Sequence, residues 1–440
     1  MNVLLITYSF PPAGGVGVLR ALSLAKYLPE SGIRVDVLTA RNAAAVGTDF
    51  ALLQQVPSNV TIHRCWTLDL PFGLRKAIKR AIPGPIGKMD KNSGAVKQRR
   101  PSRLKRLIAN LLLPDPQVGW LPFAVPAAIR LIRKRQIDLV LITVPPFSSV
   151  LLVSRLRRRF PSLPIVLDFR DEWLATTIDL VSFNNNLRAR TIAREAEAEG
   201  VRDASAVVAV SQGARREILG RYPIEPESKF HFISNGFDAV SPTGPAHLPP
   251  SSEERDVLIA YIGTVYGSTD PQTFVQAVHE LPEQVRRRLS IRFIGRIETE
   301  TYYQALKGLG NTVELKGFVP QAEALRAIED ATYLLLITHD RLNISAKMYD
   351  YLGSGKPILA AIRSDGDVRR LLEETRAGWW ADIDDVEAIK CMLIEAVGRR
   401  STLEQSFHPD LDRIAAYHRR PLAARYAGLL QMIAGVSRKC

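Results

Sequence analysis

The sequence has few of the residues from which covalent or metal-based frameworks are built. Its 440 residues include three cysteines, Cys65, Cys391 and Cys440. They lie far apart and show no metal-ligand spacing, which argues against both a disulfide framework and a zinc site. Such cysteine usage is typical of a reducing compartment, so we expect a cytoplasmic protein.

Long hydrophobic segments are also missing. The uncharged run at residues 139–154 is interrupted by Pro145 and Pro146 and is too short for a membrane span. The apolar segment 1–10 has no basic leader and continues into two prolines, so we expect a first strand there and no signal peptide. The sequence therefore predicts a chain that does not cross a membrane.

Acidic residues are scarce in the first half of the chain. The net charge is +14, and residues 1–200 carry 29 Lys and Arg against 14 Asp and Glu. Within them, residues 75–106 carry 12 basic residues against the single acid Asp90. This run is either a solvated insertion or, because apolar clusters flank it, a segment that binds an anionic membrane surface. We expect no nucleic acid partner, because no basic aromatic sheet or helix-turn-helix pattern accompanies the charge.

The length of the chain predicts two domains, because 440 residues exceed what one hydrophobic core usually holds. We place the first domain at residues 1–240, with a basic insertion at 75–110. A linker rich in proline and small residues covers 241–252. The second domain then covers 253–409, and a terminal helical segment follows in 410–440.

Both domains open with a buried strand, a glycine-containing loop and a helix. Residues 2–7 and 257–262 are the two opening strands, and this pattern is typical of parallel sheets that bind ligands at their carboxyl edge. The first loop is close to a dinucleotide fingerprint, Gly15-x-Gly17-x-x-Arg20. Arg20 stands where the third glycine is needed for close packing of helix on strand, which argues against NAD or FAD.

Polar and charged side chains follow two successive strands of the first domain. Thr143 and Ser148 follow one strand, and Asp168, Arg170 and Asp171 follow the next. Because the carboxyl ends of parallel strands meet at one edge, we expect these side chains to lie close together. Two interpretations stay open: an ion pair between Asp168 and Arg170 that locks the loop, or a functional carboxylate.

A lysine and an aspartate lie three residues apart at the start of a helix predicted in the second domain. Lys347 falls in the first turn, where free backbone N–H groups and the helix dipole favour an anion. Asp350 shares its face of the helix. Lys347 therefore suits a diphosphate, and Asp350 suits vicinal hydroxyls such as those of a ribose. The alternative is an ordinary surface pair on an amphipathic helix.

Residues 343–359 resemble the nucleotide-sugar helix of family 4 glycosyltransferases of GT-B fold, in the form Ser-Lys-x-x-Glu-Tyr-Leu-x-x-Gly-Lys-Pro-Ile. The matching residues are Lys347, Asp350, Tyr351, Leu352, Gly355, Lys356 and Pro357. The chain departs from the family at Leu342, where many members carry another Glu. It also has Ala346 between Ser345 and Lys347, and lacks the usual preceding proline.

Segments of the first domain resemble the same family. Residues 8–20 are similar to its glycine loop, and residues 168–173 to its Asp-x-Arg-Asp-x-Trp motif. The resemblance implies an α/β protein with two Rossmann-like, doubly wound domains facing a central cleft. It also implies that the terminal helix, which we place at about 410–433, returns to the first domain.

The resemblance implies a role for individual residues. Asp171 is expected to orient or deprotonate the acceptor hydroxyl, while Lys347 stabilises charge on the departing phosphate. Arg296 is expected to assist Lys347, because Thr264 stands where many members have an arginine. The residues expected to bind the nucleotide sugar are Gly14, Gly15, Arg20, Gly263, Thr264, Ser345, Asp350 and Tyr351.

The resemblance also implies the reaction. A sugar is expected to move from a nucleoside diphosphate sugar to a hydroxyl of a lipid-linked or saccharide acceptor, with retention, at the cytoplasmic membrane face. This chemistry belongs to cell-surface polysaccharide or glycan biosynthesis, and no cofactor or metal ion is expected. The expected partners are the donor, the acceptor and an anionic membrane surface contacted by residues 75–106. Two alternatives stay open, a nucleotide-sugar epimerase of the same double-Rossmann plan and a non-catalytic scaffold.

Overall fold

The computed structural model describes residues 1–43, 47–68, 113–175, 187–238, 257–319 and 321–437. The predicted basic insertion and the predicted linker lie outside these residues. The chain divides into two compact units. The first unit comprises Met1–Val210, Arg215–Ile233 and Ala423–Cys440, and the second comprises Ser211–Ala214 and Ser234–Leu422.

The first unit is built on a parallel sheet in the order β3-β2-β1-β4-β5-β6-β7. Its strands are β1 Asn2–Ile6, β2 Arg34–Ala40, β3 Thr61–Cys65, β4 Leu139–Val144, β5 Ile165–Phe169, β6 Ala206–Ala209 and β7 Phe230–Phe232. The helices between them are α1 Leu19–Tyr27, α2 Phe50–Gln54, α3 Leu121–Lys134, α4 Leu151–Arg159, α5 Leu187–Asp203 and α6 Gln212–Arg221. Strands β4 and β5 are buried along their whole length, because helices cover both faces of such a sheet.

The second unit has a parallel sheet in the order β10-β9-β8-β11-β12-β13. Its strands are β8 Val257–Ile262, β9 Leu289–Ile294, β10 Val313–Gly317, β11 Tyr333–Thr338, β12 Ile358–Ile362 and β13 Gly378–Asp382. The helices are α7 Gln272–His279, α8 Glu283–Arg286, α9 Glu300–Lys307, α10 Gln321–Asp330, α11 Ala346–Ser354, α12 Asp367–Thr375, α13 Val386–Gly398, α14 Arg400–Ser406 and α15 Leu411–Ala415. The last helix, α16 Arg419–Ser437, begins in the second unit and continues in the first. Two apolar clusters pack on this sheet.

In both sheets the strand order reverses beside the first strand, between β1 and β4 and between β8 and β11. Loops that leave such a switch point diverge and open a crevice at the carboxyl edge. The predicted strand at 257–262 is confirmed with these bounds. The sequence therefore placed β8, one of the two strands at the switch point of the second unit.

The prediction of a single terminal helix over 410–433 is wrong. The chain forms α15 and α16 with a break between them. At the break, Phe237 N donates to Tyr417 O at 3.2 Å and Arg419 N donates to Phe237 O at 2.9 Å. These backbone bonds replace helical ones, because His418 pairs with Phe237 as a short parallel bridge. Residues from Ala423 onward belong to the first unit.

A buried cluster ties α16 to the sheet of the first unit. Nε and Nη2 of Arg20 on α1 donate to the two carboxylate oxygens of Asp168 on β5, at 3.0 and 2.9 Å. The Tyr426 hydroxyl on α16 donates to Asp168 Oδ1 at 2.6 Å. Arg20 Nη2 also donates to Ile233 O at 2.7 Å. Three elements distant in sequence are thereby joined by charge-assisted hydrogen bonds.

This cluster corrects two expectations. Asp168 pairs with Arg20 and not with Arg170. Arg20 was expected to neutralise donor phosphates, but it is 8% exposed and its charge is balanced by Asp168. Its place in the structure is therefore that of a buried link between α1 and β5.

We predict that Tyr426→Phe destabilises the protein by about 1–3 kcal/mol, because it leaves buried polar groups of Arg20 and Asp168 with fewer partners. Urea unfolding followed by circular dichroism measures the change. Tyr303→Phe on α9, where the ring is partly exposed, is the matched control and should change stability by less than about 0.5 kcal/mol. Equal stability of the two variants would contradict the assignment.

Candidate functional site

Lys347 lies in the first turn of α11, at the carboxyl edge of the second unit's sheet. Its Nζ donates to the Tyr261 hydroxyl at 2.6 Å and lies 4.0 Å from the centre of that ring. The Tyr261 hydroxyl in turn donates to Thr264 O at 2.9 Å. Ser345, the N-cap of α11, makes no side-chain capping bond. The start of the helix thus presents backbone N–H groups together with an ammonium group.

Two glycines bring the backbone close to this ammonium group. Gly263 follows β8 with a φ of 135°, and a Cβ atom there would lie 3.2 Å from both Cε and Nζ of Lys347. Gly295 follows β9, also with a φ of 135°, and a Cβ atom there would lie 2.1 Å from Gly263 O. Both positions favour glycine because their φ values would strain a side chain, and at Gly295 a Cβ atom would also clash with the backbone of Gly263.

The ammonium group of Lys347 is partly withdrawn from water without a compensating charge. Burial lowers the pKa of Lys347 to about 7, and no carboxylate among the described residues offsets that effect. The hydroxyl of Tyr261 is its hydrogen-bond acceptor, and burial raises the pKa of that phenol, so it stays neutral. Keeping a buried amine charged costs free energy, and an anion bound beside it reduces that cost.

Arg296 comes to the same edge of the sheet. Its carbonyl accepts from Val265 N at 2.8 Å, so the segments after β8 and β9 run side by side. Its guanidinium lies 5.5 Å from the ring centre of Phe318, which is 76% exposed. Arg296 is itself exposed, and its charge is accessible beside the glycine pair.

Asp350, one turn further along α11, is partly buried. Burial raises the pKa of its carboxyl, and the nearby Arg419 opposes that effect. Arg419 in turn forms an ion pair with Asp238, at 2.8 Å from Nη1 to Oδ2. Asp350 thus lies near a cation that is already paired with Asp238, and its carboxyl oxygens can accept hydrogen bonds from hydroxyls.

Two motif residues have structural contacts. The Tyr351 hydroxyl, which was expected to bind the nucleotide sugar, is 1% exposed and accepts from Ile262 N at 2.9 Å. Its OH therefore holds the end of β8. Lys356 Nζ donates to Glu329 O at 2.6 Å and to Ala331 O at 3.0 Å, so it binds the carbonyls at the end of α10.

The loop before α11 is fixed by its own side chains. Asp340 Oδ1 accepts from Leu342 N at 3.0 Å and from Asn343 N at 2.9 Å. Leu342 O accepts from the Ser211 hydroxyl at 2.6 Å, and the Leu342 side chain is buried. An apolar, enclosed residue therefore occupies the position where the related sequences carry a Glu.

In the first unit, the glycine loop follows β1. Gly14 N donates to Gly47 O at 2.9 Å, and Asp49 N donates to Pro12 O at 2.7 Å. Gly15 has a φ of 98° and no atom within 4 Å of its hypothetical Cβ, so its backbone lies open at the edge. Asp171, which follows β5, is partly exposed.

Residues 14–236 match the family of proteins with a glycosyl transferase 4-like domain, slightly more than half of the chain. The chain belongs to this glycosyl transferase 4-like family. It is a glycosyltransferase. The predicted family and the predicted class of enzyme are confirmed. Comparison with curated proteins gives no match.

Solved structures share the fold of this glycosyltransferase. HepE of Anabaena, in complex with UDP, has a TM-score of 0.63 at 15% identity, with 98% of this chain and 100% of HepE covered. Sucrose-phosphate synthase of Thermosynechococcus elongatus has a TM-score of 0.65 at 14% identity, with 99% of each chain covered. WaaG, involved in lipopolysaccharide biosynthesis, has a TM-score of 0.54 at 14% identity, with 99% of this chain and 98% of WaaG covered. The predicted GT-B fold is confirmed.

The structure brings Gly263, Thr264, Ser345 and Lys347 of the glycosyltransferase together in the second unit. Sequence reasoning missed Tyr261, the direct partner of Lys347. The sequence contains little indication of this contact, because a tyrosine in a buried strand usually packs in the hydrophobic core. Within the described residues, no helix has the length and apolar character needed to cross a membrane.

The stability of the native protein should rise with pH, and we predict that Lys347→Met removes this rise. Above about pH 7 the folded protein loses the Lys347 proton, while the unfolded chain keeps it until about pH 10.5. The unfolded state therefore binds more protons between these values, and stability increases with pH by at most about 1.4 kcal/mol per pH unit. Urea unfolding at pH 7 and pH 9 should show this increase for the native protein. A variant with the same increase would show that Lys347 is not the group responsible.

Proposed function

We propose that the protein transfers a sugar from a nucleoside diphosphate sugar to a hydroxyl of a lipid-linked or saccharide acceptor. The observation that carries the proposal is the partly buried ammonium of Lys347 at the start of a nine-residue helix, which no carboxylate of the described residues compensates. A diphosphate supplies the missing negative charge, and free helix N–H groups bind its oxygens. HepE, which shares the fold, was solved with UDP.

In the proposed reaction, the bond between the sugar and the diphosphate breaks, and negative charge grows on the departing phosphate. Lys347, the first turn of α11 and the exposed Arg296 stabilise that charge. Preorganised groups of this kind contribute most where charge develops. Gly263 permits the close approach of backbone and phosphate, and Asp350 accepts hydrogen bonds from the ribose.

On the acceptor side, we assign Asp171 to orienting or deprotonating the acceptor hydroxyl. It follows β5 at the carboxyl edge of the first unit's sheet, close to the loops that follow β1 and β4. By the sequence resemblance, the outcome is retention of the anomeric configuration. The role in cell-surface polysaccharide or glycan synthesis rests on the same resemblance.

The test of donor binding is calorimetry at pH 8 with UDP, GDP and ADP and their glucose conjugates. Binding of one nucleoside diphosphate is expected, with uptake of close to one proton, because Lys347 is mostly neutral at pH 8 in the free protein and charged beside phosphate. Titrations in Tris and in HEPES reveal the proton through their different ionisation enthalpies. Lys347→Met should weaken binding by about 10- to 100-fold.

Two outcomes of this titration decide the proposal. No heat and no thermal stabilisation with any of the nucleotides would contradict it. Binding without proton uptake, unchanged in Lys347→Met, would place the diphosphate elsewhere. A donor that is converted to a second sugar nucleotide without any acceptor would instead identify an epimerase.

We also propose that residues 75–106 bind an anionic membrane surface on the cytoplasmic side. Twelve basic residues in this segment attract acidic lipids, at roughly 1 kcal/mol for each charge near the surface. Trp66 and Leu68, 55% and 69% exposed, lie just before the segment in sequence and add apolar contact.

Sedimentation with vesicles tests this contact. We expect the full chain to bind phosphatidylglycerol vesicles, to release them at 0.5 M salt, and not to bind phosphatidylcholine. Arg99→Glu with Arg100→Glu should weaken binding at least about tenfold, since several kcal/mol of attraction are lost. The matched charge reversal of Arg286 and Arg287, at the end of α8, should have little effect. Equal loss in both variants, or equal binding to both lipids, would reject the assignment.

A further inference from the structure

Arg170 ties three loops of the first unit together. It follows β5, is 9% exposed, and its backbone N donates to Val144 O at 2.8 Å. Its guanidinium donates to the carbonyl oxygens of Gly17 and Pro145. The loops that follow β1, β4 and β5 are thus held by one side chain.

The bonding of Arg170 is specific to a guanidinium group. A planar fork reaches two carbonyls in different directions, whereas a lysine supplies one point charge. Burial lowers the pKa of Arg170, and the negative charges of Asp171 and Asp168 oppose that effect. The buried charge is therefore retained through carbonyl hydrogen bonds and the field of two neighbouring carboxylates.

Glu172 anchors the same segment on the other side of Asp171. It is 1% exposed, and its Oε2 accepts from Ala175 N at 2.6 Å. Its Oε1 accepts from Arg221 Nη2, which also lies 2.8 Å from Glu197 Oε1. Tyr222 donates to the same Glu197 oxygen at 2.9 Å. Glu172 is thereby part of a buried charge network that reaches α5 and α6.

Trp173 supplies a third anchor. Its ring stacks on Phe147 with 4.7 Å between centres and 3° between planes. Phe147 belongs to the loop after β4, in which Ser148 N donates to Asp115 Oδ2 at 2.7 Å. The segment 170–173 therefore packs against a loop that is itself anchored by the hydrogen bond to Asp115.

We propose that Arg170, Glu172 and Trp173 are positioning residues, which hold Asp171 in place relative to the glycine loop and the loop after β4. The inference rests on the proposed role of Asp171 at the acceptor hydroxyl. Positioning of this kind matters because a displacement of about 1 Å at a reacting group costs roughly 100-fold in rate. The three residues act through Asp171 and need not touch either substrate.

The test compares Arg170→Lys and Glu172→Gln with a matched control, Arg157→Lys. Arg157 also donates to backbone carbonyls, those of Asp203 and Leu163, but it lies at the opposite edge of the same sheet. Hydrogen exchange of peptides covering 171–175 measures the anchoring. Release of the nucleoside diphosphate from the donor found by calorimetry, with octyl glucoside as acceptor, measures transfer.

We expect faster exchange at 171–175 in Arg170→Lys and Glu172→Gln and no change there in Arg157→Lys. The kcat of the two variants should fall about 10- to 100-fold, with nucleotide affinity and acceptor KM within about twofold. Trp173→Phe should keep most of the native kcat, because it retains a stacked ring, and Trp173→Ala should lose it.

Failure of the inference is distinguishable from failure of the proposed function. A native protein that releases no nucleoside diphosphate contradicts the proposed function, and the inference falls with it. A native protein that turns over, with variants whose kcat equals that of Arg157→Lys, overturns the inference alone. Unchanged exchange at 171–175 in Arg170→Lys overturns it as well.

Discussion

The second unit depends on a lysine ammonium group whose pKa is lowered by burial to about 7. Lys347 is bound by a neutral phenol, Tyr261, and lies against Gly263 with no carboxylate within reach in the described part of the chain. Burial without a counter-charge costs free energy. Under the proposed function, this cost is recovered when a diphosphate binds beside Lys347, among the loops after β8, β9 and β11.

In the first unit, by contrast, the buried charged side chains are paired with each other or hydrogen-bonded to backbone carbonyls. Arg20 and Asp168 neutralise each other, Arg170 is bonded to carbonyls, and Glu172 is paired with Arg221. These contacts make a rigid edge in which the segments after β1, β4 and β5 have fixed positions. One unit therefore offers an unpaired charge for a ligand, while the other uses paired charges to hold loops. This division fits a glycosyltransferase in which leaving-group stabilisation and acceptor positioning are separate tasks.

The sequence predicted the parts of this structure that local patterns determine. The buried strand β8, the glycine loops and the start of α11 follow from apolar runs, glycine spacing and helix boundaries. The partners of Arg20 and Tyr351 did not follow, because Tyr426 and Ile262 reach them through tertiary packing across hundreds of residues or between neighbouring elements. The break between α15 and α16 was missed for the same reason, since Phe237 supplies the competing backbone bonds. Motif matching alone does not separate ligand contacts from structural ones.

A crystal structure with UDP bound tests the central claim most directly. The account predicts a β-phosphate oxygen about 2.7–3.2 Å from Lys347 Nζ, with further oxygens facing the first turn of α11. Lys347 should turn from Tyr261 toward the phosphate, while Gly263 and Gly295 keep their backbone conformations. A diphosphate bound away from α11, with Lys347 Nζ still on the Tyr261 hydroxyl, would contradict the account.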